Sequence, residues 1–260
     1  MAARFAFLEH RRLIPFAHRG GNVEHPENTL EAFQHAIDLG FDHIETDVHV
    51  SADGVLYAFH DAHLGRVAGI DSLIGDLTST QIDGFRFEGY RVPRFDEVLG
   101  SWPSAFVNID PKAGEAVGPL TRALRYHGAV DRVCIGSFSD RRIERCREAL
   151  GPGLCTSMGP IETFRLYLHS RGVRTGRFRA ACAQVPTGQS VVGRTHITFA
   201  SAAFVEAAHE SGIDVHFWTI NDESTMHQLI DLDADGIMTD RPDRLRSVLV
   251  ERGRWEDDDE

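Results

Sequence analysis

Two short stretches carry residue types that could do acid–base and anion chemistry together. "FAHRGG" sets His18 and Arg19 directly after an apolar run, and "ETD" sets Glu45 and Asp47 two residues apart. In an extended strand, positions i and i+2 point to the same side, so these two carboxylates share a face. Neighbouring buried carboxylates repel and lose hydration, and a divalent cation relieves both problems. Oxygen-only ligands suit Mg²⁺, Mn²⁺ or Ca²⁺ rather than zinc. Asp110, in "VNIDPK", could add a third carboxylate. The same residues also admit a plainer arrangement, with Glu45 paired to Arg19 and Asp47 solvated at its strand end.

His18 and His60 offer two imidazoles, groups that serve as general acid or base near neutral pH. Arg19 can bridge two phosphoryl oxygens, and Lys112 adds a point charge. If these four meet, they suit a phosphoryl group. Gly20 and Gly21 would let the chain turn sharply after His18-Arg19 and approach a ligand closely.

The elements that must position these residues alternate. Strand-like apolar runs are "LIPFAH", "FDHIETDV", "AFVNID", "RVCIGSF", "GLCTSM", "AACAQV", "DVHFWTI" and "DGIMTD". A helix begins near Asn28, where Asn28 and Glu31 form a capping-box pattern and Leu30, Phe33 and Ile37 share one face. Helical patterns also separate most later strands, as in "DRRIERCREAL" and "ESTMHQLIDL". Such alternation implies parallel strands joined by right-handed crossovers.

"VHVSADGVLYAFHD", residues 48–61, breaks the pattern. Asp53-Gly54 is a hairpin signal that leaves no room for a helix, so "VLYAFHD" should return antiparallel to "IETDVHV". Setting that excursion aside leaves eight strands, the number of a TIM (β/α)8 barrel, whose active site lies at the C-terminal strand ends. Those ends carry His18, Arg19, Glu45, Asp47, Asp110, Trp218 and Asp240, with Lys112 just beyond Asp110. The hairpin would bring His60 and Asp61 over the same mouth. Residues 62–94 form a long connection, a functional loop or small subdomain. The expectation is one domain over 1–250, with 48–94 a hairpin and small insertion over the mouth. The remaining 251–260 reads as an acidic, disordered tail ending in "WEDDDE".

The 260 residues carry a formal net charge of −12, with 42% hydrophobic and 25% charged residues. An acidic chain disfavours nucleic acid, because affinity for polyanions rests on Lys and Arg. No stretch approaches a membrane span or the apolar core of a signal peptide. The four cysteines lack CxxC spacing and read as reduced core residues of a cytoplasmic protein. Five arginines between Arg165 and Arg179 read as a solvated helix and loop, or as an anion-attracting rim.

Taken in order, "HRGG…PENT", "ETD", "FHD", "DPK", "SF", "WTIND" and "DGIMTDRPD" resemble the glycerophosphodiester phosphodiesterase family over residues 17–243. The resemblance implies a TIM barrel that hydrolyses a small glycerophosphodiester to glycerol 3-phosphate and an alcohol, with a divalent metal, Mg²⁺ or Ca²⁺. It implies His18 and His60 as the acid–base pair, Arg19 on the phosphate, and Lys112 on the phosphate or glycerol side. Glu45 and Asp47 match the family's metal carboxylates, and Trp218 would wall the substrate pocket. Asp110 stands two residues before Lys112, where the family usually has Glu. Two other activities fit the same residues. One is a phospholipase D-like reaction on lysophospholipid or sphingomyelin, which would want an apolar rim, expected between Ala62 and Arg94. The other is a non-catalytic barrel that binds phosphodiesters.

Overall fold

The computed structural model describes residues 5–9, 13–190 and 196–255. Its elements in chain order are β1 (Ile14–His18), α1 (Leu30–Asp38), β2 (His43–Val50), β3 (Leu56–Ala58), α2 (Gly65–Ala68), α3 (Ser79–Gly84), α4 (Phe95–Ser101), β4 (Phe106–Pro111), α5 (Val117–Tyr126) and β5 (Val133–Ile135). There follow α6 (Asp140–Leu150), β6 (Cys155–Thr156), α7 (Pro160–His169), β7 (Cys182–Val185), β8 (Gly188–Ser190), β9 (His196–Thr198), α8 (Ala202–Glu210), β10 (Asp214–Phe217), α9 (Glu223–Asp231), β11 (Gly236–Thr239) and α10 (Pro242–Glu251).

Eight of these strands run parallel in the order β6-β5-β4-β2-β1-β11-β10-β7. A parallel bridge between Ser157 and Cys182 joins β6 to β7 and closes the ring. The outcome is the expected TIM barrel. The excursion after the second strand is also as expected: β3 pairs antiparallel with β2, Val48 opposite Ala58.

Strand register sets the mouth. His18 lies opposite Glu45, and Asp47 lies opposite Asp110. Alternation sends one side of each strand into the barrel and the other onto the helices. Ala17, Ile44, Val107, Ile109 and Ile237 pack outward beneath helices. Phe16, Cys134, Cys155, Cys182 and Met238 fill the interior, with Phe7 of a short N-terminal turn among them. Residues 62–94 share a small core with the β3 hairpin, in which Tyr57, Phe59, Leu64, Ile74, Ile82, Phe87 and Val92 are buried together.

Several local expectations need correction. The α1 cap is Thr29, whose hydroxyl accepts from the Ala32 amide at 3.1 Å. Asn28 instead takes a left-handed backbone, φ 57°, and turns its amide toward Asp47. Gly20 and Gly21 make the expected sharp turn, at φ 81° and 89°, and packing requires them as well. At φ 81°, a Cβ on Gly20 would stand 2.8 Å from the Ala32 carbonyl carbon and the Phe33 nitrogen, and one on Gly21 would meet Pro242 at 2.9 Å. The tail does not begin at 251. Glu251 closes α10, and Trp255 packs on Phe41 with ring centroids 5.3 Å apart; 256–260 lie outside the described residues. The sequence patterns also did not single out the β8–β9 hairpin or α10.

Candidate active site

His18 ends β1, and its Nδ1 lies 2.6 Å from Asp240 Oδ1 at the end of β11. A carboxylate can only accept, so Nδ1 must carry the proton, which leaves Nε2 for chemistry. That Nε2 stands 3.8 Å from Glu45 Oε2. His60, delivered by the β3 hairpin, repeats the arrangement. Its Nδ1 lies 2.5 Å from Asp61 Oδ1, while Asp61 Oδ2 accepts from Arg66 Nε at 2.6 Å. The His60 backbone is pinned as well, by His49 Nε2 at 3.0 Å from its carbonyl. Both imidazoles line one cavity of about 680 Å³ together with Arg19, Glu45, Asp47, Asp110, Lys112 and Trp218.

The charges there are interleaved. Lys112 Nζ sits between Asp47 Oδ1 at 2.7 Å and Asp110 Oδ2 at 2.8 Å. The Arg19 guanidinium donates to Glu27 at 2.9 Å, and its Nε lies 3.1 Å from Asp47 Oδ2, out of line for a hydrogen bond. Glu45 is not the guanidinium's partner; it accepts from the Arg19 backbone amide at 3.1 Å. Asn28 donates to Asp47 at 3.3 Å and accepts from Thr46 at 2.8 Å. Glu45, Asp47 and Asp110 all face the barrel interior, yet they do not bring one oxygen each within 4.8 Å of one another; among the described residues only a cysteine trio does so. The ammonium of Lys112 occupies the space between two of them.

These positions set the protonation states. Burial and the Asp47 charge push Glu45 up to about 7. Burial acts the same way on Asp47, but Lys112 and Arg19 outweigh it and hold that carboxyl below its usual range. For His18, burial works against the charged form, and Glu45 with the Asp240 hydrogen bond overcomes it, so the net shift is upward. Lys112 is likewise raised, because its two carboxylates more than offset its desolvation.

The cavity has two halves. Charged groups come from β1, β2, the hairpin and β4. The opposite wall is apolar: Phe138, Met158, Pro160, Phe164, Ile197 and Phe199, with Trp218 at its edge. Trp218 meets Phe138 edge-on at 5.6 Å. Phe138 and Phe164 remain 65% and 52% exposed, and Ile161 on the same α7 turn is 64% exposed. An apolar rim thus exists, but not where the sequence suggested it. Leu64, Ile74 and Phe85 of the 62–94 segment pack into the core beneath it, and Leu73 is, among the described residues, the one large apolar side chain it exposes. The arginine-rich stretch is structural in part: Arg165 stacks over Phe178 and donates to the Thr175 and Arg177 carbonyls.

The sequence alone gives Glu27, His49 and Arg66 no role, Asn28 only that of a helix cap, and Asp240 none beyond its place at a strand end. Glu27 and Asn28 were visible within "PENT", and Asp240 within "TDRPD". His49 and Arg66 carry no local signal at all.

Fold and site together define a barrel hydrolase whose mouth is furnished for a phosphodiester. The chain belongs to the glycerophosphoryl diester phosphodiesterase family, whose sequence profile matches residues 18–244. A relative in Mycobacterium tuberculosis, named "Probable glycerophosphodiester phosphodiesterase 2", is 36% identical over 258 residues, covering 96% of each chain. The lysophospholipase D GDPD1 of Homo sapiens is 25% identical over 90% of this chain and 85% of its own. The fold is shared with an Oleispira antarctica phosphodiesterase whose structure holds the product sn-glycerol-3-phosphate, at a TM-score of 0.74 and 21% identity, covering 91% of this chain and 96% of that one.

Proposed function

We propose that the enzyme cleaves glycerophosphodiesters to glycerol 3-phosphate and an alcohol, using His18 and His60 as its acid–base pair. The observation that carries this is the repeated arrangement of the two imidazoles. Each has its Nδ1–H tied to a carboxylate, Asp240 or Asp61, and each lines the cavity that also holds Arg19 and Lys112. One Nε2 takes a proton from the attacking hydroxyl or water, and the other gives a proton to the leaving alkoxide. Arg19 and Lys112 hold the phosphoryl oxygens and balance the charge that grows on them. The name and the product of the relatives above agree with this reaction.

The donor set fits a hard divalent cation such as Mg²⁺ or Ca²⁺. Asp110 Oδ1 is buried without a hydrogen-bond partner, and burial with the Asp47 charge raises Glu45 to about 7, which His18, Lys112 and Arg19 offset only in part. Glu45, Asp47 and Asp110 would hold the ion, sharing the last two with Lys112. When bound, the ion supplies charge neutralisation at the phosphoryl oxygens and acidifies the nucleophile. The four buried cysteines, none of them in a disulfide, support a reducing compartment such as the cytoplasm.

A second substrate reading has an observation of its own. The apolar wall with exposed Phe138, Ile161 and Phe164 suits an acyl-bearing glycerol that stays on the phosphate while the head-group alcohol leaves, as in a lysophospholipid. Among the described residues no helix is long and apolar enough to cross a membrane, so the lipid would be met at the rim. One experiment addresses both readings: glycerol 3-phosphate or lysophosphatidate release from glycerophosphocholine and lysophosphatidylcholine, with and without chelator. Release that stops in chelator and returns with Mg²⁺ or Ca²⁺ supports the reaction. Binding of both compounds with release from neither would favour the non-catalytic barrel and refute it.

A further inference from the structure

One layer below the catalytic cavity, the barrel interior holds a second chemistry that the reaction above does not use. Cys134 on β5, Cys155 on β6 and Cys182 on β7 come from consecutive strands and all face inward, at most 1% exposed. Their sulfurs lie within 4.8 Å of one another, and Cys134 Sγ is 3.8 Å from Cys182 Sγ. A thiophilic d¹⁰ ion such as zinc binds sulfur at about 2.3 Å, and two sulfurs of its tetrahedron then stand about 3.8 Å apart. The protein thus already holds one edge of such a polyhedron at the right length.

A second observation points to the same place. His216 on β10 is fully buried, its imidazole lies beside the Cys182 thiol, and its Nε2 has no hydrogen-bond partner. A buried polar atom without a partner is costly and asks for a ligand. Three sulfurs with a neighbouring imidazole are the donor set of a Cys₃His structural site. We propose that Cys134, Cys155 and Cys182 bind one soft d¹⁰ cation of the zinc class, with His216, beside Cys182, as a candidate fourth donor. Binding replaces S–H bonds with metal–sulfur bonds and releases up to three protons to solvent. It needs no oxidant or reductant.

The location gives the site a purpose. The strand ladder is thinnest here: β6 has two residues, and its junction with β7 rests on the bridge between Ser157 and Cys182. A metal bound to all three sulfurs would clamp β5, β6 and β7 across that seam. Gly136, Ser157 and Gln184, a residue or two further along the same strands, line the catalytic cavity. The clamp would therefore steady the cavity floor without touching the phosphate groups. Hard cations have no affinity for such a donor set, so it is chemically distinct from the carboxylates above.

The test uses the full chain, reduced and stripped of metal, with saturating Mg²⁺ to occupy the carboxylates. Cd²⁺ then serves as the spectroscopic probe for zinc. The expected result is a thiolate-to-metal absorption band that saturates at one equivalent. It is accompanied by a rise in Tm of about 5–10 °C at free ion near 100 Kd. Cys134→Ala and Cys155→Ala should abolish both signals, whereas Cys146→Ala, on helix α6, should keep them. Absence of the band in the wild-type protein would overturn the proposal even if neither barrel variant folds. So would a band that survives Cys155→Ala.

Discussion

Replacing Asp240 by Asn tests the imidazole arrangement more sharply than removing a histidine. Asp240 Oδ1 accepts from His18 Nδ1 at 2.6 Å, and its Oδ2 accepts from Asn221 Nδ2 at 2.8 Å. Asn221 cannot turn over to suit a new partner. Its own carbonyl oxygen already accepts from the Asp240 backbone amide at 2.9 Å and from the Thr239 hydroxyl at 3.1 Å. Asn221 therefore continues to present an N–H, and an Asn at 240 must answer with its oxygen. Its NH₂ group then faces His18 Nδ1. The donor becomes an acceptor, and Nε2 is forced to carry the proton. An isosteric change thus imposes the wrong tautomer and removes the carboxylate that favours the imidazolium. The expected loss in kcat/KM is on the order of 10²–10⁴-fold, the range for disabling one acid–base group or its orienting carboxylate.

Glycerophosphocholine turnover across pH is the assay, with thermal melting to show that the fold persists. Asp240→Asn should be at least as damaging as Asp240→Ala, which leaves the tautomer free. Adding Asn221→Asp should restore activity in part. An acid at 221 would accept from the NH₂ group at 240 and return that residue's oxygen to His18. Near wild-type kinetics for Asp240→Asn, or no rescue in the double variant, would refute the reasoning.

Three further outcomes are expected. Arg19→Lys should lower turnover by on the order of 10²-fold, because the guanidinium spans Glu27 and Asp47 in a way an ammonium cannot; wild-type kinetics would make Arg19 dispensable to charge stabilisation. Gly20→Ala should lower Tm by roughly 5–15 °C, since a Cβ at φ 81° would meet α1 backbone at 2.8 Å, and an unchanged Tm would contradict that packing. Asp214, at the start of β10, is pushed up to about 7 by burial and by the Asp235 charge. A carboxyl raised in the folded state is neutral in both states below about pH 4 and destabilises the fold as pH climbs toward 7. Asp214→Asn should therefore add about 1–2 kcal/mol at pH 8, after allowance for solvent screening, and nothing at pH 4. Equal melting shifts at both pH values would show that the Asp214 charge is not the cause.

The sequence by itself determined the barrel, because that information is local. Strand and helix periodicities alternate along the chain, and Asp53-Gly54 leaves no room for a helix before "VLYAFHD". Parallel strands with short crossovers then close in one way. The same locality made the mouth legible: His18, Arg19, Glu45, Asp47 and Asp110 sit at or just beyond the C-terminal ends of recognisable strands, and the family resemblance added roles. The tertiary structure decided what those residues do to one another. Asp240 reaches His18 from 222 positions away, and Arg66 reaches Glu27 across 39. Lys112 stands between Asp47 and Asp110 only because β2 and β4 pair in that register. Closure likewise sets α1 against Gly20 and Pro242 against Gly21, so packing as well as the turn requires glycine there. The three barrel cysteines, each unremarkable in its own strand, meet only once the strands close into a ring. Side-chain direction within a strand follows from a period of two residues; which foreign side chain lies opposite follows from closure and register, and no local pattern encodes that.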